Sequence, residues 1–234
     1  YFWMPSKFSQ DIFHSFTKKP VQLIPIACSL PTTIPINRAD FDLSDSSFIF
    51  LFTGSIGKNS ISNRKNPDAI VHSFLQAFPK TENVRLILKL YSPFKNSEIP
   101  NVLNIIPKDE HRVKIINENF TRDQFLGLMK ACDCYISLHR CEGYGLGMIE
   151  AMALGKPVIA TNYSGNTTFM THSNSCLVDY KIAQTEPLNF FSETFTSSYA
   201  EADIDHAAHS MQRIYDDHSF RNTISNQAKL DIET

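Results

Sequence analysis

"CEGYGLGMIEAMALGKPVIAT", residues 141–161, sets three glycines in a turn, passes through a helix-forming centre to a fourth glycine at 155, and enters a β-rich run after its only proline. Two acids, Glu142 and Glu150, flank the glycine-rich turn. Upstream, "DCYISL" (133–138) is a short apolar run that reads as a strand. The stretch predicts a strand ending near Leu138, the turn "HRCEGYG", a helix from about Gly145 to Leu154 stopped by Gly155, and the strand "KPVIAT". That turn lies at a strand's carboxyl end. In open α/β sheets this edge is where ligands bind, and the free N–H groups of a helix start receive anions.

The same alternation extends along the chain. "VQLIPI", "SFIFLF", "VRLILKLY", "HRVKII" and "SCLVDY" are further short β-rich runs, mostly without strict alternation, as expected of strands covered on both faces. Between them, "PDAIVHSFLQAF" carries Ile70, Phe74, Leu75 and Phe78 on one helical stripe, and "TRDQFLGLMKA" carries Phe125, Leu128 and Met129. This pattern predicts an α/β fold, a doubly wound parallel sheet with helices on both faces. Phe8, Ile12, Phe13 and Phe16 predict a short amphipathic entry helix ending at Lys19-Pro20. Residues 181–200 show no period and read as loop. "ADIDHAAHSMQRIYDDH" reads as a late helix packed on the sheet, with His206, His209 and His218 on its solvated side rather than at a metal.

The composition, 42% hydrophobic over 234 residues, supports a sizeable core. A formal net charge of -2 and a pI near 6.5 exclude a general attraction to nucleic acid or anionic lipid. The five cysteines form no C-x-x-C pair, which favours a reducing compartment and hence the cytoplasm; Cys132 and Cys134 read as buried rather than metal-binding. No apolar run approaches the ~18 residues of a membrane span. The opening at Tyr1 reads as mid-protein sequence, so a fragment or processed chain is expected.

"FLFTGSIGKNS" resembles a phosphate loop, but only two residues separate Gly54 and Gly57 where the Walker pattern needs four. "GYGLG" would need glycine at Met148 for a dinucleotide fingerprint, and no acid lies between Glu150 and Asp179. A G-x-S-x-G elbow is absent. Glu142 and Glu150 are eight steps apart, roughly 12 Å in a wholly helical segment at ~1.5 Å per residue. That exceeds the about 5 to 9.5 Å of a glycosidase pair. Such acids suit the two ends of an elongated ligand, with glycine amides on a pyrophosphate and carboxylates on sugar hydroxyls. The residues alone leave open that Glu150 serves the helix dipole and Glu142 is a solvated turn residue.

Residues 137–166, "SLHRCEGYGLGMIEAMALGKPVIATNYSGN", resemble the E-x7-E region of the retaining GT-B glycosyltransferases, in particular glycosyltransferase family 4. "WMPSKF", "RKNPDAIVHSFLQAF", "LILKL" and "DIDHAAHSMQRIYDD" extend the likeness over nearly the whole chain. The resemblance implies the C-terminal, Rossmann-like half of a GT-B fold: an interdomain entry at 1–20, a nucleotide-sugar domain at 21–234, and an acceptor domain absent on the N-terminal side. It implies a hexosyltransferase acting from a UDP- or GDP-hexose donor on a glycan or glycolipid acceptor, with no metal and no further cofactor. A full-length protein would be cytoplasmic, or peripheral at the membrane, and serve polysaccharide or glycolipid synthesis. This fragment alone is expected to transfer little. A GT-B-like epimerase and a non-catalytic nucleotide-binding module are the alternatives.

By that resemblance Glu142 contacts the transferred sugar and Glu150 the ribose hydroxyls. Gly143, Tyr144, Gly145 and Leu146 form the turn whose amides meet sugar and phosphates. Lys65 neutralises the departing diphosphate, the second cation being Lys58 or Arg64. The loop with Asn117 and Phe120 receives the base through backbone groups. Without the family, Arg64 and Lys65 could be a solvated helix start, although cations there oppose the helix dipole. Lys89 reads equally as a ligand contact or a snorkelling side chain. Arg140, beside His139, reads equally as an acid's partner or a substrate contact, and "NYSGN" (162–166) as cleft wall or tight turn.

Overall fold

The structure is a computed structural model describing residues 1–31, 34, 38–43, 46–55, 64–91, 105–185, 188–190 and 193–233, with backbone alone at 188–190 and 193–195. At its start, β1 (Phe2–Met4) and β2 (Val21–Leu23) pair in parallel around α1 (Lys7–Phe16), which is capped by the Ser6 side chain accepting from Ser9 N–H. The six remaining β-rich runs form one sheet: β3 (Phe48–Ser55), β4 (Val84–Tyr91), β5 (Val113–Ile116), β6 (Cys134–Ser137), β7 (Val158–Thr161) and β8 (Cys176–Val178). Their order is β5-β4-β3-β6-β7-β8, every neighbour pair parallel. The order reverses between β3 and β6. There the connections leave in opposite directions and open a crevice at the carboxyl ends.

Among the described residues, five helices cover the sheet: α2 (Pro67–Ala77), α3 (Arg122–Ala131), α4 (Leu146–Ala153), α5 (Ile204–Asp216) and α6 (His218–Glu233). Strand periodicity divides the core in two. Phe50, Phe52, Leu86 and Leu88 meet Ile70 and Phe74 of α2 and Met211 and Ile214 of α5, whereas Ile49, Leu51 and Ile87 meet Leu128 of α3 and Met148 and Met152 of α4. α6 joins both, through Ile224 on one side and Ala228 on the other. Double coverage explains the unbroken apolar runs, since both faces of β6 and β7 are buried at all four positions. Cys132 ends α3 and Cys134 opens β6, both buried.

One expectation is corrected. Residues 181–200 are not loop: β9 (Tyr180–Gln184) pairs antiparallel with β12 (Ser198–Ala202), and a shorter pair, β10 (Leu188–Phe190) and β11 (Glu193–Phe195), lies between them. β9 is exposed at four of its five positions, so burial never imposes an alternating pattern on its sequence. The expected entry helix forms as α1, with Ile12, Phe13 and Phe16 of its stripe 40%, 38% and 83% exposed. A two-sided sheet makes adjacent residues of β4 equally important. Ile87→Ala and Leu88→Ala, whose side chains enter opposite cores, should each lower the urea unfolding free energy by about 2–5 kcal/mol; a loss below about 1 kcal/mol at either position would contradict burial on both faces.

Candidate functional site

β6 delivers its chain to the crevice through Leu138 and His139, both fully buried, and the turn 140–145 follows. Gly145 caps α4 at φ +108°, which only glycine adopts freely, and its carbonyl accepts from Met148 and Ile149 N–H at 3.0 and 3.2 Å. A second turn, after β7, is stitched to the first. Glu142 N–H donates to Ser164 Oγ at 2.8 Å, and Gly165 N–H donates to the Glu142 carbonyl at 2.9 Å. Ser164 sits at φ +76°, an uncommon conformation for a residue with a side chain, held by that hydroxyl bond. A Cβ at Gly165 would fall 2.6 Å from Tyr144 N, so this position admits glycine alone. At Gly143 a Cβ would meet nothing within 4 Å, so that side of the turn faces open space.

Glu142 is not a solvated turn residue: it is 6% exposed. Lys65 Nζ lies 2.5 Å and an Arg64 guanidinium nitrogen 2.9 Å from its Oε1, and Arg64 also donates to the Cys141 carbonyl at 3.2 Å. Burial pushes the Glu142 carboxyl up, but Lys65, by charge and hydrogen bond, followed by Arg64 and His139, outweighs it and holds the group below the ordinary carboxylate range. The cations that oppose the α2 dipole are therefore employed across the crevice. Lys58 lies outside the described residues.

Glu150, on α4, is 9% exposed and takes a bond from Arg122 at 2.5 Å. Sequence reasoning missed Arg122. Its signal was akin to the one at Lys65, a cation at a helix start, here in the first turn of α3 beside the Thr121–Gln124 capping box. Tyr144 turns inward, its hydroxyl donating to the Ile26 carbonyl at 3.1 Å and its ring 5.1 Å from that of Phe169, while Leu146 is 52% exposed.

Beyond the carboxyl ends of β3 and β4 lies a cleft of about 440 Å³ lined by Thr53, Gly54, Lys65, Lys89, Glu118 and Phe120, among others. Lys65 thus borders both the cleft and Glu142. Asn117 is exposed and is not among the cleft's lining residues; Glu118, Asn119 and Phe120 are the members of that loop which reach it. Lys89 donates to the carbonyls of Leu90 and Glu118 at 3.0 and 2.7 Å, and its amine lies 4.8 Å from the Phe120 ring centre, so it ties the loop to β4. Burial lowers its pKa.

Of the turn residues with two readings, Arg140 pairs with an acid, Glu201 of β12, at 2.7 and 2.9 Å. His139 is structural. Asn166 Nδ2 donates to the Thr161 carbonyl, so its Oδ1 accepts from His139 Nε2 at 3.0 Å, and His139 Nδ1 accepts from the Ser137 hydroxyl at 3.1 Å. This satisfied neutral imidazole has its pKa lowered by burial.

A sequence model of the family described as "Glycosyl transferases group 1" matches residues 47–186. No curated protein matches in sequence. Among solved structures, HepE of Anabaena, determined with UDP and glucose, is 18% identical with a TM-score of 0.75, covering 99% of this chain and 57% of that one. Sucrose-phosphate synthase of Thermosynechococcus elongatus is 20% identical with a TM-score of 0.69, covering 99% and 53%. The C-terminal domain of LpcC, a group 1 family protein of Francisella tularensis, is 15% identical with a TM-score of 0.62, covering 80% and 84%. The chain spans about half the length of the first two. These likenesses show the fold, a Rossmann-like, C-terminal-like half of the GT-B architecture.

His139 yields a pH dependence. Its folded pKa lies below the ordinary 6.5, so the stability contributed by the neutral imidazole is complete above the unfolded value and is lost as pH falls toward the folded one. The stability advantage of the wild type over His139→Asn, by urea unfolding, should therefore shrink as pH is lowered from 7 to 5. A constant difference over that range would refute the buried neutral assignment.

Proposed function

The chain belongs to the glycosyl transferases group 1 family, and from that premise we propose that it is the donor-binding domain of a retaining enzyme of the family 4 type. It would transfer a hexose from a UDP- or GDP-linked donor to an acceptor hydroxyl. The observation that carries the reading is the buried carboxylate of Glu142, held at one oxygen by Lys65 and Arg64, beside the glycine turn that opens α4. Two cations against one carboxylate leave an excess positive charge where the helix start also favours an anion. The Lys65 ammonium has three donors, and one turned toward the Glu142 carboxylate still leaves others for a diphosphate in the cleft it borders.

Both acids share one arrangement. Glu142 is addressed at Oε1 by Lys65 and Arg64, and Glu150 at Oε1 by Arg122. In each, Oε2 is the oxygen with capacity for a sugar hydroxyl, of the transferred hexose at Glu142 and of the ribose at Glu150. The base would rest against the 118–120 loop, the diphosphate on the amides following Gly143, and the hexose near Glu142. The acceptor oxygen would then attack the anomeric carbon on the face from which the diphosphate departs. Lys65, Arg64 and the helix start stabilise the charge that develops on the leaving group. The acceptor itself would be bound by the part of the longer relatives that this chain does not span.

Calorimetric titration with UDP, GDP and ADP tests the reading. One of the diphosphates should bind. Lys65→Ala and Glu150→Ala should each weaken that binding about 10- to 100-fold, the loss of a hydrogen bond to a charged group. No heat with any of the three would refute a donor domain.

A further inference from the structure

Asn66 is the N-cap of α2, yet its side chain makes no capping bond. It adopts φ 49°, ψ 52°, is 1% exposed, and directs its amide away from the helix, donating at 2.9 Å to Glu201 Oε1. The other carboxylate oxygen, Oε2, accepts from Arg140 Nε and from a second nitrogen of the same guanidinium. Glu201 thus joins the residue that follows Lys65 to the residue two before Glu142.

The neighbours of Glu201 on β12 grip the same arginine. Tyr199 lies under its guanidinium at 5.1 Å, and Ala200 N–H donates to its carbonyl at 3.0 Å. β9 pairs with one edge of β12, and this last bond occupies the other edge. Arg140 N–H in turn donates to the Arg64 carbonyl at 2.7 Å. Three consecutive residues of the β9–β12 hairpin therefore close a ring through Arg140, Arg64 and Asn66. The ends of that ring carry the two cations and the carboxylate on which they converge.

Resting on the reading of Lys65 and Glu142 as donor-binding groups, we propose that Glu201 is a positioning residue for sugar transfer, clamping Asn66 and Arg140 so that Lys65 and Arg64 meet Glu142 at one oxygen. A half-exposed ion pair by itself contributes little. This one also satisfies a buried amide, and removing it leaves that donor unpaired next to the catalytic lysine. Among the described residues the Asn66 side chain makes no capping bond and its amide donates to Glu201, so losing the clamp loosens the 64–66 segment that carries the cations facing Glu142.

The test reads Glu142 directly. Its side-chain carboxyl carbon is followed by carbon-13 NMR against pH and identified by its absence in Glu142→Gln. Lys65 and Arg64 are the cations that hold this carboxyl low, His139 adds to them once it is protonated, and Tyr135 and Cys141 are its other titratable neighbours. In both Glu201→Ala and Glu201→Gln the midpoint should move up toward the ordinary carboxylate range, further in the alanine variant. If Glu201 served stability alone, its replacement would lower the melting temperature and leave the midpoint in place. Glu201→Gln keeps the side chain's shape, so the outcome does not depend on the alanine variant folding. Alongside, Glu201→Ala should weaken binding of whichever of UDP, GDP and ADP the wild type takes about tenfold, with binding of the corresponding nucleoside unchanged. An unmoved midpoint in folded Glu201→Gln overturns the proposal. A wild-type chain that ignores every nucleotide counts against the donor site alone, because the Glu142 midpoint is read without ligand.

Discussion

Two cations converging on one oxygen of a buried carboxylate is the arrangement on which the rest of this molecule's functional geometry depends. Glu142 is almost removed from water, and burial alone would favour its neutral form. Lys65 and Arg64 reverse that preference. Taking charges out of water is expensive, and well-packed apolar side chains often do as well or better for stability. The excess positive charge left beside the ionised carboxylate, at the mouth of a crevice, is the feature on which the proposed anion site rests.

The sheet makes that arrangement possible. Lys65 precedes α2 and follows β3; Glu142 follows β6 and precedes α4. These segments are far apart along the chain, yet β3 and β6 are adjacent strands at the point where the order reverses. Both leave the sheet at the same edge, so their following turns face one another. The second turn, after β7, adds Ser164 and Gly165 as a brace beneath Glu142. The β9–β12 hairpin adds Glu201 from the side.

Much of this was legible in the residues. Six apolar runs became the six strands of the sheet, and the striped segments became its helices, because covering both faces leaves a strong compositional trace. Glu142 and the glycine turn stood out through strand-to-helix punctuation, whereas Lys65 and Arg64 were named through the family resemblance, with the misfit of cations at a helix start as the residues' own hint. The β9–β12 hairpin was not legible, since β9 is largely exposed and the buried positions of β12 are alanines, too small to leave a strong apolar signal. Arg122 and Glu201 were missed for another reason: an ordinary charged residue has no local feature that names its partner 28 or 61 positions away. Asn117 is exposed and does not line the cleft, whereas Glu118, Asn119 and Phe120 of the same loop do.

Local chemistry in the sequence determined the elements, their doubly wound order and the turn at the end of β6, because periodicity, glycine and proline act within a few residues. Only the tertiary structure decided which oxygen each cation addresses, that Arg140 serves Glu201, and that His139 is a satisfied neutral imidazole. Those outcomes follow from distances between segments remote in the chain and from the removal of water around them, and neither quantity exists until the sheet has closed.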